Sequence, residues 1–174
     1  KEGKSDVVIL YFHGGAYMGN IIKLHWYLIE QFISKTKAVM VIPDYPLAPE
    51  ATSRETYNFI QLLYTRVRND HPDKRIIFMG DSSGGGLAFG FVQQLRNENN
   101  KQPDEVILFS PWLDVSMSNP QLQIIDKVDR ILSVEGLKTA GLKYAGNFKV
   151  KDYRVSPVYG DFKGLCRISV FTGS

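Results

Sequence analysis

The sequence of 174 residues contains a single cysteine, Cys166, and no long apolar segment. One cysteine excludes an intrachain disulfide and favours a reducing compartment, so we expect a cytoplasmic protein. The longest uninterrupted apolar runs, such as Val7–Phe12, are far shorter than the roughly 20 residues that a bilayer-spanning helix needs. The composition therefore excludes a disulfide scaffold and predicts no membrane span.

The sequence also has little excess of either charge, since 21 Lys and Arg residues against 18 Asp and Glu residues give a net charge of only +3. The basic residues are scattered, whereas nucleic-acid-binding proteins usually gather them on one face, so we expect no nucleic-acid partner. The only histidines are His13, His25 and His71, and with Cys166 they show no metal-ligand spacing. We therefore predict no metal site and no cofactor.

Apolar segments rich in strand-forming residues alternate with segments of helical periodicity. Strands are predicted at Val7–Phe12, Ala38–Ile42, Arg75–Met79, Val106–Phe109 and Ile168–Phe171. Helices are predicted over residues 24–33, after the capping-box pair Thr52 and Glu55, and beyond the glycines that precede Leu87. Residues 119–148 are more polar and helical only in part. This alternation predicts an α/β fold with a mostly parallel central sheet and helices on both faces.

The functional groups of such a sheet gather at the carboxyl ends of its strands. The segment after the third strand, GDSSGGG at residues 80–86, lacks the lysine of a Walker A loop and the third glycine of a dinucleotide fingerprint. It does match G-x-S-x-G, the nucleophile elbow, in which a serine lies on a tight strand-to-helix turn. Ser82 is therefore the candidate nucleophile. Ser83 does not fit the pattern, because Asp81 stands where its leading glycine would be.

A second glycine-rich segment, HGGAY at residues 13–17, follows the first strand and lies at the same edge of the predicted sheet. A serine nucleophile needs hydrogen-bond donors for the negative charge that develops on the attacked carbonyl oxygen. We expect the backbone N–H groups of this loop and of the residue after the nucleophile to supply them. The candidate oxyanion-hole residues are Gly14, Gly15, Ala16 and Ser83.

Four segments, HGGAY, PDYPLAPE, GDSSGGG and SPWLD, occur in the order and context found in the hormone-sensitive-lipase-like branch of the α/β-hydrolases. The chain resembles this branch over nearly its whole length. The resemblance implies a serine carboxylesterase or lipase that acts on small-molecule esters of short to medium acyl chains through an acyl-enzyme on Ser82, without a metal or cofactor. Ala16 stands where the family has a third glycine, and its methyl group is expected to trim the acyl pocket.

Further residues are expected around this site. An apolar substrate pocket is predicted to have among its walls Tyr17, Trp112 and Leu113. The oxyanion loop is expected to be braced by Asp44, Tyr45 and Glu50. Residues 119–148 are a candidate cap or lid insertion.

In this fold the catalytic residues follow one another in the sequence as nucleophile, acid and histidine. This chain has no histidine after Ser82, because His13, His25 and His71 all precede it. The resemblance expects the acid shortly after the last predicted strand and the histidine later, both beyond Ser174. Asp114 is a candidate substitute acid, although a role in shaping the pocket is favoured, and Asp161 is assigned to a turn. We expect one α/β-hydrolase domain over residues 1–174, incomplete at both ends and inactive by itself.

Two hypotheses about function stay open. The first is a serine esterase of which this chain is a fragment. The second is a non-catalytic small-molecule-binding homologue that keeps the pocket but has lost the triad. The presence of both the elbow and the oxyanion loop favours the first, although a thioesterase, amidase or lactonase would use the same elbow. A last strand with an unpaired edge would favour self-association, so a homo-oligomer is a further expectation.

Overall fold

A computed structural model describes residues 5–173, in which five strands form one sheet. The strands are β1 (Val7–Phe12), β2 (Val39–Val41), β3 (Arg75–Asp81), β4 (Glu105–Phe109) and β5 (Arg167–Phe171). Their order across the sheet is β2-β1-β3-β4-β5, and every neighbouring pair is parallel. The helices are α1 (Lys23–Thr36), α2 (Ser53–Asp70), α3 (Ser82–Asn97), α4 (Leu122–Ile125) and α5 (Val134–Ala145). The predicted α/β fold is confirmed.

The side chains of β1 alternate between two separate hydrophobic cores, as the pleat of a strand requires. Val8 and Leu10 belong to the core that also contains buried residues of α2 and α3. Ile9 and Tyr11 belong to the core that contains Ile29 of α1. Helices therefore cover both faces of the sheet, which explains why the strand sequences are apolar throughout.

Helix α2 begins at the predicted capping box. Thr52 is its N-cap residue, and the Thr52 N–H donates a hydrogen bond of 2.8 Å to the Glu55 carboxylate. Within α2 the buried side chains include Ile60, Tyr64 and Val67, whose spacing places them on one face of the helix.

Helix α3 begins at Ser82, so the prediction that it starts beyond the glycines was wrong. The glycines lie inside its first turns, where the neighbouring backbone leaves no room for a side chain. A Cβ atom at Gly84 would lie 2.1 Å from the Phe12 carbonyl oxygen, and one at Gly86 would lie 2.4 Å from the Trp112 carbonyl oxygen. These glycines allow α3 to pack closely against the end of β1 and the segment after β4.

Helices α4 and α5 lie within the polar segment 119–148, as expected for a segment helical only in part. Ser133 caps α5 by accepting a hydrogen bond of 3.1 Å from the Gly136 N–H. Tyr144 of α5 is buried in the same core as α2 and α3, whereas α4 has no buried residue. The role of this segment as a lid stays a prediction. Across residues 5–173 no helix combines the length and the apolar character needed to cross a bilayer.

Candidate active site

Ser82 lies at the junction of β3 and α3 with a φ of +48°, in the left-handed region that non-glycine residues rarely adopt. The turn is tight, since a Cβ atom at Gly80 would lie 2.5 Å from the Gly84 carbonyl oxygen. The Ser82 carbonyl oxygen accepts a hydrogen bond of 2.8 Å from the Trp112 N–H, which fixes the turn from the other side. Strained backbone of this kind is concentrated at functional sites, and the position matches the nucleophile-elbow pattern.

The loop that follows β1 lies against this elbow. Gly15, Ala16 and Tyr17 have successive φ values of +134°, +54° and +62°. The Tyr17 N–H donates a hydrogen bond of 3.2 Å to the Ser83 side-chain oxygen, and the Tyr17 carbonyl oxygen accepts one of 2.8 Å from the Ala48 N–H. The unusual backbone of the loop is therefore held by polar contacts to two separate segments.

The four predicted oxyanion donors differ in their surroundings. The Gly14 N–H donates a hydrogen bond of 2.9 Å to Asp81 Oδ1, so this group is already engaged. In the described range, 5–173, the Gly15 and Ala16 N–H groups have no hydrogen-bond acceptor. The Ser83 N–H belongs to the first turn of α3, where intrahelical acceptors are lacking. Gly15, Ala16 and Ser83 therefore stay candidate donors, whereas the Gly14 N–H is engaged by Asp81.

Asp81, the residue before the candidate nucleophile, contacts two side chains that no sequence pattern placed near it. Its Oδ1 accepts a hydrogen bond of 2.6 Å from the Tyr11 hydroxyl, and its Oδ2 lies 3.4 Å from His25 Nε2. Burial above all, followed by the hydrogen bond to Asp81 and its charge, raises the pKa of Tyr11 far above its ordinary value, so the hydroxyl keeps its proton. His25 lies in the helix predicted over residues 24–33, and no sequence pattern linked this helix to the elbow.

None of the three histidines hydrogen-bonds to the Ser82 hydroxyl among the residues that the structure describes. His13 is buried, and its Nδ1 lies 2.8 Å from the Gly14 carbonyl oxygen. Burial lowers the pKa of His13, so the imidazole is neutral at pH 7. His71 follows α2 and precedes β3, so it lies near the amino end of the strand whose carboxyl end leads into Ser82. Over residues 5–173 no group of three His, Cys, Asp or Glu side chains could hold a metal ion.

A sequence profile of the alpha/beta hydrolase fold matches residues 9–174. The chain belongs to the alpha/beta hydrolase family. It is 34% identical, over 99% of its length, to an esterase of Acinetobacter venetianus, and 30% identical, over 95% of its length, to a triacylglycerol lipase of Mycobacterium tuberculosis. The crystal structure of a hormone-sensitive-lipase homologue from a metagenome library matches 98% of the chain with a TM-score of 0.91 and 28% identity. The resemblance to the hormone-sensitive-lipase-like, esterase and lipase type of this family is confirmed.

The chain spans only part of the length of these hydrolases. It covers 58% of the Acinetobacter esterase, 34% of the Mycobacterium lipase and 59% of the metagenomic structure. These shares are consistent with the expectation that the chain is part of a longer α/β-hydrolase.

The three predicted pocket walls of this α/β-hydrolase chain differ in their surroundings. Tyr17 is 2% exposed, and its ring stacks on Tyr144 at a centroid distance of 3.6 Å, so it belongs to the core. Trp112 is half-buried beside the elbow, with its ring centroid 5.6 Å from that of Tyr17. Leu113 lines a separate apolar cavity of about 340 Å³, together with Val170 of β5. Of the three predicted walls, Trp112 is the half-buried residue that is joined to the elbow, through the hydrogen bond from its backbone N–H to the Ser82 carbonyl oxygen.

One of the three predicted braces contacts the oxyanion loop. The Tyr45 hydroxyl donates a hydrogen bond of 2.6 Å to the His13 carbonyl oxygen, and the two rings stack at a centroid distance of 4.6 Å. Asp44 is exposed and lines a cavity of about 330 Å³ with His13, and Glu50 is exposed as well. In the range 5–173 neither carboxylate hydrogen-bonds to the loop. Tyr45 alone therefore has the contacts of a brace.

Local turns are organised by both Asp114, the candidate substitute acid, and Asp161, the predicted turn residue. Asp114 accepts hydrogen bonds from the backbone and side chains of Ser116 and Ser118, and a longer one of 3.3 Å from the Tyr159 hydroxyl. Partial burial raises the pKa of Asp114, but these hydrogen bonds outweigh it, so the net pKa lies below its usual value. Asp161 accepts a hydrogen bond of 2.9 Å from the backbone N–H two residues later, as expected for a turn.

Proposed function

We propose that the full-length protein carrying this chain is a serine carboxylesterase that acts on small-molecule esters of short to medium acyl chains. Ser82 is the nucleophile in this proposal. The observation that carries it is the backbone of Ser82, which has a φ of +48° where β3 turns into α3. This strained turn lies beside a loop whose Gly15 and Ala16 N–H groups have no acceptor within residues 5–173.

In the first half of the reaction the Ser82 oxygen bonds to the ester carbonyl carbon while its proton passes to a base. The carbonyl oxygen then bears a negative charge, which the N–H groups of Gly15, Ala16 and Ser83 stabilise by roughly 3–4 kcal/mol each. Collapse of this intermediate breaks the bond to the alcohol oxygen, which takes the proton, and leaves the acyl group on Ser82. Water then adds to the acyl-enzyme, the acid leaves, and the Ser82 hydroxyl is restored.

We assign the general base and its acid to the part of the full-length protein outside this chain, as the family resemblance implies. Within residues 5–173 the histidines support this assignment, since His13 and His25 are held by Gly14 and Asp81 respectively. His71 lies near the amino end of β3, the opposite end of that strand from Ser82. The non-catalytic alternative predicts a full-length protein without this base.

The proposed preference for short acyl groups rests on the oxyanion loop. Ala16 carries a methyl group on a residue with a φ of +54°, at the position whose N–H we assign to the acyl oxygen. A methyl group so close to the reacting carbonyl limits the volume left for the acyl chain. The cytoplasmic location and the self-association expected from the sequence stay predictions.

The test is ester hydrolysis by the full-length protein with p-nitrophenyl acetate, butyrate, caprylate and palmitate. We expect turnover of the shorter esters, no effect of EDTA, and a loss of about 10³-fold or more in kcat for Ser82→Ala, because a triad acts as one unit. Ser34→Ala, at an exposed serine of α1, is the matched control and is expected to keep its turnover. Turnover by Ser82→Ala within tenfold of the wild type, or its abolition by EDTA, would overturn the proposal.

A further inference from the structure

The Asp81 carboxylate is the point at which four parts of the site meet. It lies at the end of β3, directly before Ser82, and receives hydrogen bonds from Tyr11 of β1 and from the Gly14 N–H of the oxyanion loop. His25 of α1 approaches its other oxygen at 3.4 Å. The Asp81 side chain thus connects the elbow with the neighbouring strand β1, with the oxyanion loop and with helix α1 on one face of the sheet.

The tautomer of His25 follows from its second contact. Its Nδ1 accepts a hydrogen bond of 3.1 Å from the Ile22 N–H at the start of α1, so this nitrogen carries no proton. The remaining proton of the neutral ring is therefore on Nε2, which faces Asp81 Oδ2. The His25 side chain is only 13% exposed, so this 3.4 Å polar contact with Asp81 is largely shielded from solvent.

The backbone of the oxyanion loop lies in direct contact with the Asp81 carboxylate. A Cβ atom at Gly14 would lie 2.3 Å from Asp81 Oδ2, so only glycine allows the approach seen here. Gly15 and Ala16, whose N–H groups we assign to the acyl oxygen, are the next two residues of the loop. A change in the orientation of the carboxylate would therefore move the anchor from which both donors project.

From this geometry we propose that Asp81, oriented by His25 and Tyr11, is the positioning residue that fixes the oxyanion loop for catalysis. The inference rests on the proposed function for its catalytic consequence. It assigns no contact with substrate to either Asp81 or His25. Their effect reaches the reaction through the Gly14 N–H and the two donors that follow it.

Two variants of the full-length protein separate the two contacts of His25, the hydrogen bond from the Ile22 N–H and the polar contact with Asp81. His25→Gln keeps an N–H donor at about the reach of Nε2, so it preserves the contact with Asp81. His25→Asn keeps an acceptor near the position of Nδ1 for the Ile22 N–H, but it is too short to reach Asp81. Leu24→Asn, at a 69% exposed neighbour on α1, is the control for a general effect on the helix.

The expected result is a loss of about tenfold in kcat for His25→Asn with KM within about twofold, since misplaced donors affect the transition state more than substrate binding. His25→Gln is expected to lose no more than about threefold in kcat, because its donor partly rescues the contact. A purely structural role of His25 as a helix cap predicts the reverse order. Equal losses in both variants, or the reverse order, would overturn the proposal.

Amide hydrogen exchange over residues 13–18, measured by mass spectrometry, is the readout that does not depend on activity. Exchange is expected to be faster in His25→Asn than in the wild type and close to the wild type in His25→Gln and Leu24→Asn. If the wild type hydrolyses no ester, the proposed function fails, while this measurement still decides whether the network holds the loop. Unchanged exchange in His25→Asn would contradict the proposal.

Discussion

The side-chain oxygen of Ser83 accepts a hydrogen bond of 3.2 Å from the backbone N–H of Tyr17. This contact joins the elbow to the oxyanion loop across 66 residues of sequence. Ser83 is fully buried, so no water competes for the bond. The second serine of GDSSGGG thus has a structural contact, while the first has the strained backbone expected of a nucleophile.

Replacing Ser83 by alanine removes the acceptor and leaves the Tyr17 N–H without a partner. We expect Ser83→Ala to lower the free energy of unfolding by about 1–3 kcal/mol, the usual cost of an unsatisfied buried donor. Urea denaturation followed by circular dichroism measures this change, with the exposed Ser34→Ala as the control. A change below about 0.5 kcal/mol would show that the bond contributes little.

Substitution of Gly84 by alanine tests the close packing of α3 against β1. The substitution would place Cβ 2.1 Å from one backbone oxygen, that of Phe12, and 2.4 Å from another, that of His13. Since backbone cannot yield as a flexible side chain can, we expect Gly84→Ala to lower the free energy of unfolding by about 3 kcal/mol or more. Gly173→Ala, where no atom lies within 4 Å of the added Cβ, is the control. Equal stability of the two variants in the same urea titration would contradict this packing.

The sequence predicted the sheet and the elbow because both depend on local patterns. Apolar runs marked all five strands, and G-x-S-x-G marked the turn at Ser82. It mispredicted the start of α3, because glycines usually break helices and the packing that requires them here comes from distant segments. It missed the contact between His25 and Asp81 for a related reason, since 56 residues separate them and only the crossover of the parallel sheet brings them together.

The depressed pKa of Asp114 gives a stability that depends on pH. Because its folded pKa lies below the unfolded value of about 3.9, the ionised carboxylate stabilises the fold above that pH, and this contribution is lost as the pH falls through the folded pKa. Asp114→Asn is expected to cost about 1 kcal/mol at pH 7, given the partial solvent exposure of the site.

Thermal unfolding at pH 7 and at pH 3 tests this expectation. The difference in Tm between the wild type and Asp114→Asn should be largest at pH 7 and should shrink at pH 3. Asp73→Asn, at an exposed aspartate, is the control for the loss of one surface charge. A difference that grows toward low pH would show that the hydrogen bonds of Asp114 do not favour its charged form.

We also predict that the 174-residue chain turns over p-nitrophenyl esters far more slowly than the full-length protein. Within residues 5–173 no base hydrogen-bonds to Ser82, so its hydroxyl keeps its proton, and binding with oxyanion donors alone leaves roughly 10³–10⁴-fold acceleration over water. Both proteins are assayed under the same conditions, after circular dichroism has shown that the shorter chain is folded. Comparable turnover would place the base inside this chain, with His13 as the first residue to substitute.

The account depends most directly on Ser82 as the nucleophile, and covalent labelling tests that assignment in one measurement. The full-length protein is treated with a fluorophosphonate, which bonds to an activated serine oxygen with loss of fluoride, and the modified peptide is mapped by tandem mass spectrometry. We predict one added phosphonyl group per chain on Ser82, none on Ser83, and no labelling of Ser82→Ala. A label on Ser83, or undiminished labelling of Ser82→Ala, would contradict the account.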